Sequence, residues 1–394
     1  MPSPNLPSGP ARPAQDRLAR IEAARRSVML EGGGLSDPLP EAWIERSWQR
    51  CLALGFEPGQ RVNFDLLPQA MLRRTQEANQ QLVRSARPIL DGLGRAIVNT
   101  RYFAILTNAQ GVVVDVSGQI DRSDPRADLI TRIGTDLSEN RVGTTAIGAA
   151  LTELRPVWLH RGEHFFADTS VYSCAGAPLF GPGGECVGML DLTGIEATER
   201  PELKHLVSQS ALRIQNALVL AQAHALTIRL SWPGTGMGSE LDGLICLDDE
   251  GWITGANALA RDMVSELRLE YKARMHASEV FALPYELLFD ARRRGDELID
   301  LPLWSGLRLQ ALCQARHTES LSLPTGARTA TRRSPESPQP APLKDFETAL
   351  IKQAVLQARG NVAEAARALG ISRATVYRKI AGNAAPVNQR AARK

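Results

Sequence analysis

The chain has 394 residues, of which 43% are hydrophobic and 23% are charged, proportions that are typical of a soluble globular protein and exclude wholesale disorder. No stretch reaches the roughly 18 uninterrupted apolar residues of a membrane-spanning helix, and the N-terminal residues lack the apolar centre of a signal peptide. We therefore expect a cytoplasmic protein of about two or three domains.

Charge is distributed unevenly along the chain. Residues 325–394 contain 13 Lys and Arg against 4 Asp and Glu, whereas the whole chain has a net charge of only +3. A basic C-terminal end on an acidic body indicates a polyanionic partner at that end. Charge alone does not distinguish a nucleic acid from a face that is simply solvated.

Five cysteines are widely spaced, with no CxxC pair. An odd number outside a secretory context predicts neither a disulfide framework nor a zinc site. We expect free, half-buried thiols and no metal or cofactor.

The first part of the chain begins with a segment rich in Pro, Gly and Ser. Residues 1–38 are expected to be disordered, or at best helical around residues 17–30. Apolar residues at helical spacing then predict one helix that ends near Gly55 and a longer one over residues 67–98.

Strand periodicity follows these helices. YFAILTN and VVVDVSG predict a hairpin whose turn uses Gly111, and three further strands precede a long amphipathic helix over residues 201–222. For residues 39–222 this order predicts an α+β domain, an antiparallel sheet with helices on one face.

A smaller α+β unit is predicted for residues 236–317, with a hairpin, a helix over about residues 280–294 and two more strands, resembling a PAS fold in outline. Residues 318–342 are polar and rich in proline, which is typical of a flexible linker. A small all-α domain over residues 343–382 and a basic tail over residues 383–394 complete the chain.

The all-α segment has the pattern of a helix-turn-helix. Asn361 can cap one helix, Gly370 can end it, and Ser372 can cap the next. In such a motif the second helix enters the major groove of DNA, where Arg pairs with guanine and Thr or Ala meets a thymine methyl group. The candidate DNA-binding residues are Ser372, Arg373, Ala374, Thr375, Tyr377, Arg378 and Lys379.

The segment ALIKQAVLQARGNVAEAARALGISRATVYRKI resembles the Fis-type helix-turn-helix at the end of many bacterial enhancer-binding activators. The resemblance implies binding to double-stranded DNA as a homodimer, on half-sites about one helical turn apart. The helices over residues 67–98 and 201–222 are candidates for the dimer seam. An alternative is a three-helix bundle that binds protein, which would make the chain a sensor adaptor.

The segment ENRVGTTAIGAALTELRPVWLHRGEHFFADTSVYSCAGAPLFGPGGECVGMLDLTG is similar to the GAF domain of the activators that govern acetoin catabolism. The resemblance covers about residues 41–220 and implies a sensor of a small-molecule effector. Ligand pockets combine apolar walls with a few polar groups. The candidate effector-binding residues are Trp158, His160, His164, Phe165, Tyr172 and Cys174.

Ordinary packing is the alternative for each of these residues. The spacing of His160 and His164 would suit a metal on a helix, but Gly162 places them in a loop. Cys174 would need a base beside it to act as the nucleophile of a thiol-dependent enzyme.

Activators of the resembled family carry an AAA+ ATPase between sensor and DNA-binding unit. This chain has about 120 residues there, and neither GxxxxGK[ST] nor the GAFTGA sequence occurs anywhere in it. We therefore expect a non-enzymatic transcriptional regulator, activator or repressor, that does not hydrolyse ATP. RNA polymerase or a full-length activator is a further candidate partner.

Overall fold

The computed structural model describes residues 13–29, 41–268, 274–293 and 298–315. Residues 1–319 and residues 320–394 form separate units, and only the first contains described residues. The predicted linker, helix-turn-helix domain and basic tail lie outside them, as do all seven candidate DNA-binding residues. Among the helices that are described, none is long and apolar enough to cross a membrane.

The first half of the described chain forms a five-stranded antiparallel sheet, which confirms the predicted fold class. Its strand order is β2-β1-β5-β4-β3. The strands are β1 Tyr102–Asn108, β2 Val113–Ser117, β3 Val157–His160, β4 Tyr172–Phe180 and β5 Cys186–Ile195. Gly111, in the turn of the β1–β2 hairpin, has φ 83°, a conformation that glycine adopts at little cost.

Both faces of this sheet are buried, although the sequence predicted helices on one face only. Phe103 and Ile105 point to one hydrophobic cluster, whereas their neighbours Ala104 and Leu106 point to another. Alternating side chains of a strand face opposite sides, so a strand that is apolar at every position requires cover on both.

Two helices cover the second of these faces: α4, Gln80–Ala96, and α8, Leu203–Leu220. The predicted helix over residues 67–98 is two helices, because α3, Gln69–Ala78, ends before α4 begins. At the junction, the Asn79 side chain donates to the carbonyl of Thr75 over 2.7 Å.

The other face is covered by shorter helices and by the N-terminal region. These helices are α1 Pro13–Met29, α2 Ala42–Ala53, α5 Pro125–Ile130, α6 Glu139–Val142 and α7 Ala146–Glu153. In α2, Trp43 and Trp48 are fully buried, as their helical spacing with Ile44 suggests.

Helix α1 lies in the segment that the sequence predicted to be disordered, or at best helical around residues 17–30. Ile21, Ala24 and Val28 are buried at the spacing of one helical face. This short apolar face of α1 packs on the body of the protein. Composition alone does not indicate it, because the surrounding sequence is rich in Arg.

A second five-stranded antiparallel sheet follows, with strand order β8-β7-β6-β10-β9. Its strands are β6 Leu226–Ser231, β7 Gly243–Leu247, β8 Ile253–Ala256, β9 Ile299–Pro302 and β10 Arg308–Ala315. Its helices are α9 Ala258–Met263, α10 Ala277–Val280 and α11 Glu286–Arg293. The central strand β6 lies before residue 236, where the sequence placed the start of this unit.

The turn between β4 and β5 contacts this second sheet. The carbonyl of Pro182 accepts hydrogen bonds from the amide of Ala256, over 2.9 Å, and from the side chain of Arg261, over 2.7 Å. Nearby, the Asn257 side chain donates to Asn216 of α8 over 2.8 Å. Hydrogen bonds therefore join the β4–β5 turn and α8 to the second sheet and to the residue before α9.

Candidate functional site

A cavity of about 30 Å³ lies between the first sheet and helices α5, α6 and α7. That volume holds about one or two water molecules. Half of its 14 lining residues are apolar, and the polar ones lie on β4 and β5, on the loop after β3 and at the residue before α7. The lining residues are Phe64, Ile105, Ile130, Leu137, Val142, Thr145, Ala146, Ile147, His164, Thr169, Tyr172, Cys174, Asp191 and Thr193.

The strand register brings the polar groups together. Cys174 of β4 lies opposite Thr193 of β5, and Asp191 lies opposite Gly176. The Cys174 Sγ is 3.5 Å from Thr193 Oγ1, and the Thr193 hydroxyl donates to Oδ2 of Asp191. Asp191 Oδ1 is buried and has no hydrogen-bond partner among the described residues.

His164 joins this cluster from the loop after β3. Its Nδ1 lies 2.9 Å from the carbonyl of Arg161 and must donate to that acceptor. In the neutral ring Nε2 is then an acceptor, and it lies 3.6 Å from Cys174 Sγ. The thiol therefore donates to the imidazole.

Burial determines the protonation of the cluster. It lowers the pKa of His164 to about 4. It also raises the pKa of Asp191 to about 7, although the hydrogen bond from Thr193 lowers that pKa in part. Burial also raises the pKa of the Cys174 thiol well above its usual range. Because the thiolate is the reactive form of cysteine, this environment does not favour a Cys174 nucleophile.

Gly176 allows α7 to approach the sheet beside Asp191. A Cβ at Gly176 would lie 2.6 Å from Cε of Met189 and 3.0 Å from the carbonyl oxygen of Ala146. A side chain at Gly176 would require the end of the Met189 side chain to move and the first turn of α7 to shift by a few tenths of an ångström.

Three of the six predicted effector-binding residues line this cavity: His164, Tyr172 and Cys174. Phe165 does not line it. It is fully buried in the adjoining core, with its ring centroid 5.0 Å from that of Phe166.

Trp158 and His160 lie two residues apart on β3 and share the face away from the cavity. Trp158 belongs to the cluster under α4 and α8, and its ring stacks on His160 with centroids 6.3 Å apart. The Nδ1 of His160 lies 2.8 Å from the hydroxyl of Ser173. The strand alternation thus separates these two residues from Cys174.

Asp191 and Thr193 are not among the predicted effector-binding residues, although they lie in the segment that carries the GAF resemblance. Their signal is two polar residues at positions i and i+2 of the otherwise apolar run MLDLTG, which places both side chains on the same face of a strand. Two polar groups on one buried face must satisfy each other or bind something else.

Helix α1 holds the loop that carries His164. The Arg25 guanidinium donates to the carbonyls of Gly162, over 2.8 Å, of Phe165, over 2.9 Å, and of His164. On the preceding turns, Arg17 pairs with Glu163 at 2.8 Å. Burial lowers the pKa of Arg25 and raises that of Glu163.

Metal binding has no support in the described residues, where no group of three or more His, Cys, Asp and Glu side chains could hold a metal ion. His160 and His164, the spaced pair in the sequence, instead make the separate contacts described above.

The described residues form a mixed α+β fold with two antiparallel sheets and a buried cavity against the first. Residues 20–215 match the family model of the MimR N-terminal domain, and residues 342–381 match that of the bacterial regulatory protein, Fis family. The chain is thus similar to a MimR N-terminal domain over one part of its length and to a Fis-type regulatory protein over another.

Similarity to whole proteins extends over parts of their length. The chain is 31% identical over 264 residues to the acetoin catabolism regulatory protein of Cupriavidus necator, covering 64% of this chain and 38% of that protein. It is 26% identical over 336 residues to a 47.3 kDa protein in the thcA 5′ region of Rhodococcus erythropolis, covering 73% of this chain and 76% of that protein.

The solved structure of the E. coli DhaR(N)–DhaL complex contains a similar chain. It aligns with a TM-score of 0.43 and 15% identity, covering 70% of this chain and 99% of that chain. The first curated relatives are longer proteins, and this chain spans less than two fifths of their length.

Proposed function

We propose that the chain is a cytoplasmic transcriptional regulator that binds DNA through its Fis-type segment and binds a small-molecule effector in the cavity of its first sheet. The observation that supports effector binding is Asp191, a fully buried carboxylate that lines the cavity and has one oxygen without a hydrogen-bond partner among the described residues. The match of residues 342–381 to the Fis family supports binding to DNA, as does the local excess of 13 basic over 4 acidic residues.

The size of the cavity supports a regulatory role. An effector larger than about two water molecules has to displace wall residues on β4, β5 or the helices over them. Because the turn after β4 contacts the second sheet through Pro182, this displacement reaches the second sheet. An effector shifts the protein between states only by its differential affinity for them.

We propose that this regulator acts as a homodimer and without ATP hydrolysis. The chain contains no GxxxxGK[ST] sequence to hold nucleotide phosphates. It would then act by occupying DNA, by contacting RNA polymerase, or by pairing with a full-length activator.

The test is DNA binding by the full-length protein with and without the small-molecule fraction of a cell extract. Fluorescence anisotropy on fragments from the protein's own genomic neighbourhood would measure the affinity. Ile105, beside Asp191 in the register, allows a matched pair of variants: Ile105→Phe puts a larger side chain into the cavity, and Ile105→Leu conserves volume.

We expect the extract to change the DNA affinity of the wild type and of Ile105→Leu. Ile105→Phe should still bind DNA, but its affinity should be the same with and without the extract. Absence of DNA binding at low salt, ATP turnover, or an equal response of all three proteins to the extract would contradict the proposal.

A further inference from the structure

Asp191 is the exception among the buried acidic residues of the described chain. Glu139, Glu163 and Asp242 are also buried, and each pairs with an arginine at between 2.6 and 3.1 Å. For Asp191, burial and the hydrogen bond from Thr193 are the influences on its pKa, without a neighbouring cation. An unsatisfied buried polar oxygen destabilises the folded protein, so its place in the cavity needs an explanation.

The donors around Asp191 are already engaged. The Thr193 hydroxyl donates to Asp191 itself, and the Cys174 thiol donates to His164. His164 Nδ1 donates to the carbonyl of Arg161, and the Tyr172 hydroxyl donates to that of Arg126 over 3.1 Å. Among the described groups on β4, β5 and the loop after β3, the acceptor left for a ligand is therefore Oδ1 of Asp191.

We propose that Asp191 is the specificity-determining residue of the cavity and selects small ligands that donate a hydrogen bond and carry no negative charge. The inference rests on the proposed function of the cavity. A hydroxyl or amine N–H satisfies Oδ1, whereas a ligand with only acceptors leaves it unmet. A carboxylate ligand would bury a second negative charge beside Asp191 without a cation to balance it.

Four probes of equal heavy-atom number separate these cases: 2-butanol, 2-aminobutane, butanone and propionate. Calorimetric titration of the full-length protein at about pH 8, above the pKa of Asp191, would measure their affinities. We expect 2-butanol and 2-aminobutane to bind at least about tenfold more tightly than butanone, and propionate not to bind.

Asp191→Asn keeps the shape of the side chain and adds an amide donor. In this variant the preference for 2-butanol over butanone should fall by about tenfold or more, because the amide can donate to the ketone. Asp242→Asn is the matched control, since Asp242 is a buried carboxylate outside the cavity wall. This variant should keep the wild-type preference for 2-butanol over butanone, whereas a variant that does not fold would lose it.

The inference is overturned if butanone or propionate binds the wild type as tightly as 2-butanol, if no probe binds, or if Asp191→Asn keeps the wild-type preference. These outcomes are distinct from failure of the proposed function, which is decided by DNA binding with cell extract. A cavity that selects donors without changing DNA affinity would sustain the role of Asp191 and refute effector control.

Discussion

Single residues in the cavity are held in protonation states that water would not give them. His164 is fully buried and stays neutral because burial disfavours its charged form. Asp191 titrates near neutrality for the same reason, with its charged form disfavoured. The two groups therefore affect folding stability with opposite signs as the pH falls.

The pKa of His164 falls from its ordinary 6.5 to about 4 on folding. Between these pH values the unfolded chain binds more protons than the folded one, so the stability falls as the pH falls through this window. The loss attributable to His164 is at most about 3 kcal/mol. Burial also lowers the pKa of His160 to about 4, so His160 adds to this loss of stability. Asp191 binds its proton mainly in the folded state and therefore offsets part of the loss.

We expect His164→Asn to lose less stability than the wild type between about pH 6.5 and 4, since its amide can still donate to Arg161 but does not titrate. Thermal unfolding of the full-length protein across this range would measure the slope. His205→Asn, at an exposed histidine of α8, serves as the control and should follow the wild type. Equal slopes for all three would mean that His164 does not charge on unfolding.

At the scale of elements, α1 acts as a strap across the loop that follows β3. The guanidinium of Arg25 donates to three main-chain carbonyls of this loop, those of Gly162, His164 and Phe165. Its guanidinium also lies 5.8 Å from the ring centroid of Trp48. The position of His164 in the cavity therefore depends on a helix far away in sequence.

Arg25→Met keeps the aliphatic stem but removes the donors to those carbonyls. Since hydrogen bonds from a charged group contribute about 1.5–3 kcal/mol, we expect faster amide hydrogen exchange in residues 161–166 by about tenfold or more. Arg26→Met, at the exposed neighbouring position, removes the same charge and should leave exchange unchanged. If both variants exchange like the wild type, α1 does not hold the loop.

Elements with a clear period could be predicted from the sequence, whereas their boundaries and partners could not. The β1–β2 hairpin, the strands β3 to β5 and the closing helix α8 lie where their patterns indicated. Strand β6 was missed although Leu226, Ile228 and Leu230 alternate with polar residues and are buried, because it falls between the two predicted units.

The residues of the cavity could likewise be predicted only in part. Proximity in sequence grouped Trp158 and His160 with Cys174, but strand alternation directs the first two to the opposite side of the sheet from the cavity. Asp191 comes to the cavity from β5, 17 residues after Cys174, through a register that the sequence alone does not fix. The DNA-binding residues stay predictions, since they lie outside the described residues.

At the scale of the whole molecule, the C-terminal unit differs from the rest of the chain in its balance of basic and acidic residues. Residues 325–394 contain more than a quarter of all 46 Lys and Arg but less than a tenth of the 43 Asp and Glu. If this end binds DNA, the release of counterions makes affinity fall steeply with salt, by a slope of about 0.9 for each phosphate contact. The basic tail and the recognition helix should contribute to this affinity in different ways.

Removing residues 383–394 deletes Arg390, Arg393 and Lys394 from the full-length chain. We expect the salt slope to fall by up to about 3, with weaker binding to every DNA sequence alike. Arg373→Ala should instead cost about 1–3 kcal/mol on the preferred sequence and relax discrimination at one base position. Anisotropy titrations at several salt concentrations, on the preferred and a scrambled fragment, would separate the two effects. Uniform weakening by Arg373→Ala would place that residue on a phosphate instead of a base.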